Sequence, residues 1–237
     1  MTILASLLNP LKRTPIYSLV TGLPWAPYRG SVLRFIAPGH SSILEAGCGQ
    51  GNISRSRYFP AKIPLRLGVE IFEPYARTAL SRGSYDSVLR GDVRALPLKD
   101  KSVDCVLCVE VIEHMPKDEG VALIKEFERV ARHQVVVSTT DIPLKPLDER
   151  TATDGNMAMY HQARWKPHEF ADLGFNVYGM YPRFTEGSSL DPVYFLSYLL
   201  PLMYLVKNAP RGAKAFVGVK NLTSGDNHQD DALSGTL

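Results

Sequence analysis

The most constraining stretch of this chain is Ile43-Leu-Glu-Ala-Gly-Cys-Gly-Gln-Gly-Asn52. A short apolar segment, Ser42–Ala46, runs straight into glycines at 47, 49 and 51. Glycine is favoured where a backbone must take a positive φ or come close to a ligand. The spacing therefore predicts a strand, a tight turn and then a helix. A turn of this kind belongs at the carboxyl end of a central strand in an open α/β sheet, the edge where such sheets bind ligands.

The following residues keep that rhythm. Leu65–Ile71 reads as a second strand, with Pro74 opening the helix after it, where proline is tolerated. Ser87–Arg90 is a short third strand, and Val103–Val109 a continuously apolar fourth, as a strand covered on both faces should be. Val121, Leu123, Ile124, Phe127 and Val130 recur at helical spacing and predict a helix over 120–132, and Gln134–Ser138 is a fifth strand. The alternation predicts an α/β fold, a parallel sheet with helices on both faces. Past residue 140 the rhythm breaks. Residues 141–160 read as a long loop, 166–173 as a short helix, and 176–180 and 215–220 as two last strands. Residues 1–40, with five prolines, read as a helical and turn extension before a domain over 41–220, and the polar residues 221–237 as a disordered tail.

Composition removes several functions. The chain has 237 residues, enough for one sizeable core, and its net charge of +3 is too mild to argue for a nucleic-acid partner. Cys105 and Cys108 have the spacing of a metal pair, but they fall within the apolar strand rather than on an exposed turn, so no metal site is expected. An odd count of buried-looking thiols fits a reducing, cytoplasmic setting. The apolar start, residues 3–8, has its charges Lys12 and Arg13 on the wrong side for a signal peptide. The apolar run 193–206 is interrupted by Pro201 and falls short of the ~20 residues of a spanning helix. It lies in a helical insert over 185–212 and has three readings: a lid over the site, a homodimer face, or a membrane-surface contact.

The glycine loop alone would also suit a dinucleotide, but that fingerprint is G-x-G-x-x-G, and here the sixth position is Asn52. Glu70, ending the second strand, stands where an acid meets ribose hydroxyls and fits either ligand. Two other acids discriminate. Glu45, just before the loop, suits a cationic group and repels a pyrophosphate. Asp92, in Gly91-Asp92-Val93 after the third strand, puts a carboxylate where an adenine amine can be held.

Together, Glu45-x-Gly47-x-Gly49-x-Gly51, Glu70, Gly91-Asp92-Val93-x-x-Leu96-Pro97 and Asp104-x-x-x-x-Val109-Glu110-Val111-Ile112-Glu113-His114 resemble class I methyltransferases, the type 11 small-molecule group, over roughly residues 40–140. The resemblance implies a Rossmann-like, mostly parallel seven-stranded sheet with an antiparallel last strand and S-adenosyl-L-methionine as cofactor. It implies that Gly47, Gly49 and Gly51 line the methionine moiety and that Glu70 holds the ribose. Asp92 would meet the adenine with the Val93 backbone beside it, and Val109 and Glu110 would close the floor. The activity implied is methyl transfer to a small-molecule or lipid-like acceptor. The alternative is a catalytically inactive cofactor-binding or partner-binding protein of the same fold.

Methyl transfer needs an aligned nucleophile more than a catalytic signature, with a base only where the acceptor must lose a proton. The acceptor-side candidates are His114, after the fourth strand, and Tyr160 and His161, in the segment before the Pro167-x-Glu169-Phe170 helix start. Each also has a plain packing role open to it. The loop 141–165 and the run 193–206 are expected to roof the acceptor pocket.

Overall fold

The computed structural model describes residues 32–56, 59–60, 63–141, 155–182 and 209–222. Seven strands form one sheet in the order β3-β2-β1-β4-β5-β7-β6. They are β1 (Ser42–Ala46), β2 (Leu65–Glu70), β3 (Ser87–Arg90), β4 (Val103–Val109), β5 (Ala131–Thr140), β6 (Asn176–Pro182) and β7 (Ala213–Asn221). Strands β1 to β5 pair in parallel, and β7 alone is reversed, antiparallel to both β5 and β6. The mostly parallel sheet with an antiparallel last strand is the one expected.

Alternation along the strands sends side chains to two cores. Leu44, Val106, Val135, Val137 and Phe216 face one side, where they pack with α2 (Lys117–Val130) and α3 (Pro167–Asp172). Ile43, Cys105, Leu107, Val136 and Val217 face the other, covered by Val32, Leu33 and Ile36 and by Ile53, Phe59 and Ile63. Helix α1 (Glu73–Ser81) flanks β2 and β3, and its Ala79 packs with Cys48 and Tyr85. The last residues of the expected extension 1–40 thus belong to the core.

Several boundaries differ from the sequence expectation for identifiable reasons. Helix α2 begins at Lys117, three residues earlier than predicted, behind Pro116 and with Asp118 and Glu119 in its first turn. Acids there complement the helix dipole. It stops at Val130 because Lys101 and Ser102 donate to the carbonyls of Arg129 and Val130 and Ala131 turns extended. Arg132, expected in the helix, instead lies in β5 and pairs with Asp104 at 2.8 Å. No helix follows the glycine loop among the described residues. The Ser54 hydroxyl donates to the Gly51 carbonyl at 3.3 Å, and the chain closes turns such as Ser56 N–H to Ile53 O. A side chain that takes the local carbonyl competes with the helical ladder. Strand β7 reaches Asn221, and the Leu222 N–H donates to His133 O, so the polar tail begins later than residue 221.

Cys105 and Cys108 are fully buried and fall into opposite cores, so the C-x-x-C pair cannot converge on one metal. Burial pushes both thiols up. Among the described residues no cluster of three or more His, Cys, Asp or Glu is arranged for a metal, and no helix is long and apolar enough to cross a membrane. The run 193–206, most of the insert 185–212, and residues 142–154 of the expected roof lie outside the described residues.

Candidate active site

The strand order reverses direction between β1 and β4, and a cavity of about 600 Å³ opens at the carboxyl ends of the strands flanking that point. This is where open α/β sheets take ligands. Of the nine cofactor residues expected, eight line it: Glu45, Gly47, Gly49, Glu70, Asp92, Val93, Val109 and Glu110. His114 and His161 line it too.

The three glycines serve three purposes. All have positive φ: +73° at Gly47, +53° at Gly49 and +78° at Gly51. A Cβ on Gly47 would stand 2.4 Å from Val111 Cγ2, so this glycine lets the loop pass under the chain leaving β4. A Cβ on Gly49 would meet nothing within 4 Å and would enter the cavity. Gly51 does not line the cavity. A Cβ there would press on the Ala79 backbone at 3.4 Å, so this glycine lets the loop seat against α1.

The acids are held in place by the main chain and by buried donors. Glu70 is 6% exposed; its Oε2 accepts the Gly49 N–H at 2.8 Å and its Oε1 the Phe72 N–H at 2.9 Å. One carboxylate therefore pins the glycine loop to the end of β2. Glu45, 2% exposed, accepts from the Tyr85 hydroxyl at 2.7 Å. Asp92 accepts the backbone N–H of Arg94 at 2.9 Å and its guanidinium at 2.5–3.0 Å. The hydrogen bonds from Arg94 hold its carboxyl below the usual range. Asp104, also part of the motif, sits at the amino end of β4, away from the cavity. There burial is outweighed by hydrogen bonds from Ser41, Arg132 and Ser42, which keep it ionised. It closes the sheet's lower edge and does not serve the site.

Glu110 takes φ +55°, a conformation rare for a side-chain-bearing residue, where the chain leaves β4. The turn after it, Ile112–His114, carries His114 to the cavity. The segment 160–165 is zipped onto this turn. Gln162 and Ala163 N–H donate to Glu113 O at 2.7 and 3.0 Å, Gln162 Nε2 to His114 O at 2.7 Å, and Trp165 Nε1 to Ile112 O at 3.3 Å. The zip brings the His114 and His161 rings edge to face, centroids 4.8 Å apart. Burial lowers the pKa of both. Tyr160 does not line the cavity; its backbone lies against the His114 imidazole. Arg164 and Lys166 anchor the far end of the segment on buried Asp141, at 2.6 and 2.7 Å. Arg94, Glu119, Asn156, Met159 and Gln162 also line the cavity and were not singled out by the sequence. They carry no motif and reach the site only through tertiary packing.

Comparison with known proteins agrees with this geometry. Residues 44–138 match the methyltransferase domain family, type 11. A curated relative from Encephalitozoon cuniculi, named "Putative methyltransferase", is 28% identical over 143 residues, 59% of this chain and 64% of its own length. Among solved structures, a Thermotoga maritima S-adenosylmethionine-dependent methyltransferase, described as a possible histamine N-methyltransferase, is 20% identical with a TM-score of 0.53. That match covers 92% of this chain and 97% of the other. A chain of the Haloferax volcanii complex between the Trm112 methyltransferase activator and "the putative methyltransferase" is 15% identical with a TM-score of 0.55, covering 83% and 88%. Fold and cavity define the class I methyltransferase framework. Within it, residues 44–138 of this chain are similar to the type 11 methyltransferase domain.

The similar Thermotoga maritima enzyme is S-adenosylmethionine-dependent, and the residues that line the cavity here fit that cofactor. The bare Gly49 backbone faces a cradle that a Cβ would fill, and carboxylates stand at the ends of β1, at the end of β2 and after β3.

Proposed function

We propose that this chain transfers a methyl group from S-adenosylmethionine to a small-molecule acceptor. One observation carries the reading: the glycine loop, the strand-end acids and the two histidines share a single cavity. When bound, S-adenosylmethionine supplies a methyl group already activated by its sulfonium. Gly47 and Gly49 would lie along its methionine part, with Glu45 toward the ammonium. Glu70 would take the ribose hydroxyls on the lone pairs not used by Gly49 and Phe72. Asp92 and the Val93 backbone would hold the adenine, over a floor of Val109 and Glu110.

The chain's remaining task is to hold an acceptor atom in line with the methyl group, which can supply much of the rate. His114 and His161 are the groups able to move a proton. Burial lowers both, so at neutral pH each imidazole is uncharged and can accept a proton from an acceptor hydroxyl or ammonium. A lipid-like acceptor has only the apolar run 193–206 in its favour.

Calorimetry with S-adenosylhomocysteine and with NAD, followed by a screen for S-adenosylhomocysteine production across fractionated cell extracts, tests the reading. Binding of the first ligand alone, with turnover in some fraction, is expected. NAD binding without S-adenosylhomocysteine binding would overturn the cofactor. Binding without turnover in any fraction would favour a catalytically inactive binding protein.

A further inference from the structure

We propose that Arg94 is a positioning residue for the cofactor: its guanidinium straps the mouth of the cavity by tying Asp92, after β3, to Glu119 in the first turn of α2. The proposal rests on the S-adenosylmethionine reading above, in which Asp92 faces the adenine.

The guanidinium is shared between the two acids. Its Nε donates to both oxygens of Asp92 at 3.0 Å and its Nη2 to Oδ2 at 2.5 Å, while Nη1 reaches Glu119 Oε2. All three residues line the cavity. Their side chains are 47%, 32% and 39% exposed, so the bridge lies at the rim, between solvent and the space behind it. The planar fork of arginine is suited to this shape, since it can engage one carboxylate along an edge and still present a donor to a second. The hydrogen bonds to Arg94 also fix Asp92 as an ionised acceptor in one orientation.

The fold does not need this bridge. The same loop is fastened to α2 further from the cavity, where Leu96 N–H donates to Glu126 Oε1 at 2.7 Å. There Arg129 also reaches the carbonyls of Leu98 and Leu96 and the Asp100 carboxylate. The Arg94 link is an additional tie at the ligand end alone. An exposed single ion pair would be worth little, but a multidentate one shared between two acids is the kind that holds geometry. Across the mouth it would slow escape of whatever occupies the adenine end.

The test is S-adenosylhomocysteine binding to the full chain, by calorimetry for affinity and stopped flow for dissociation, with the ligand-free melting temperature measured alongside. R94A should bind about tenfold more weakly, mostly through faster dissociation. R94K, which keeps the charge but not the fork, should recover part of the loss. E119Q, which cuts only the far end, should speed dissociation while leaving Asp92 held. Raising salt severalfold should weaken the wild type and leave R94A nearly unchanged, since rim charges are screened. Ligand-free stability should barely move in any variant. Equal affinity and off-rate in R94A and wild type would overturn the strap. So would a loss that tracks a fall in ligand-free stability and that R94K does not mend. A wild type that binds no S-adenosylhomocysteine would instead overturn the cofactor reading itself, before Arg94 is tested.

Discussion

The two sides of the cavity are built in opposite ways. The cofactor side is made of strand ends. Glu45 and Glu70 lie in the ladders of β1 and β2, Asp92 two residues past β3, and Glu70 is fixed by backbone N–H groups of Gly49 and Phe72. The histidine side is made of a three-residue turn, 112–114, and the segment 155–165, which meet across 48 residues of sequence in the Gln162–His114 bond. One side inherits its precision from the sheet. The other depends on a handful of hydrogen bonds and on Asp141 holding Arg164 and Lys166. A cofactor wall can be rigid and shared across many chemistries, while the acceptor wall is where a family changes its substrate.

If the cofactor side is the rigid one, damage there should be the more costly. Gly47→Ala should destabilise the ligand-free protein by about 2–5 kcal/mol, from the positive φ and the clash with Val111. Denaturant unfolding checks this, and a near-neutral result would place the loop's rigidity elsewhere. On the other side, Glu113 lies 1% exposed behind the histidine turn, with Thr139 and the Thr140 backbone as polar neighbours. Burial raises its pKa from 4.5 to about 8. A carboxyl raised on folding binds its proton more tightly in the folded state. Its contribution is therefore most favourable below pH about 4.5 and is lost as pH rises to about 8. Glu113→Gln should flatten the stability–pH curve across that window by something on the order of 5 kcal/mol. Thermal melts at several pH values measure it, and an unchanged slope would show that the acid is ionised in the fold.

Two smaller effects separate the walls functionally. With an acceptor in hand, His161→Ala should lower turnover about a hundredfold, as loss of a general base does, while S-adenosylhomocysteine affinity stays within about twofold. A matching loss of affinity would mean that the two sides are not independent. Asp92→Ala should weaken cofactor binding by about 1–3 kcal/mol, the cost of an unpaired buried donor. Ligand-free stability should change little, because the Asp92–Arg94 pair is partly exposed. Normal binding by this variant would remove the adenine from that end of the cavity.

What the chain discloses by itself is local. Glycine spacing, strands of unbroken apolar residues and acids at or just past a strand end are short-range patterns, because backbone conformation and strand burial are decided within a few residues. They were enough for the sheet and for eight residues that the fold brings together around one cavity. Tertiary structure decided the rest. Gly51 carries the same signal as Gly49, yet one meets Ala79 and the other open space, a difference set by where α1 packs. Tyr160 and His161 are neighbours in sequence, but only His161 lines the cavity, because the zip from Gln162 and Ala163 to Glu113 orients the segment. Arg94 and Glu119, 25 residues apart, become partners only when the loop after β3 lies along the first turn of α2. Contacts of that range leave no periodicity to read, since each depends on the packing angle of elements whose own sequences are indifferent to it.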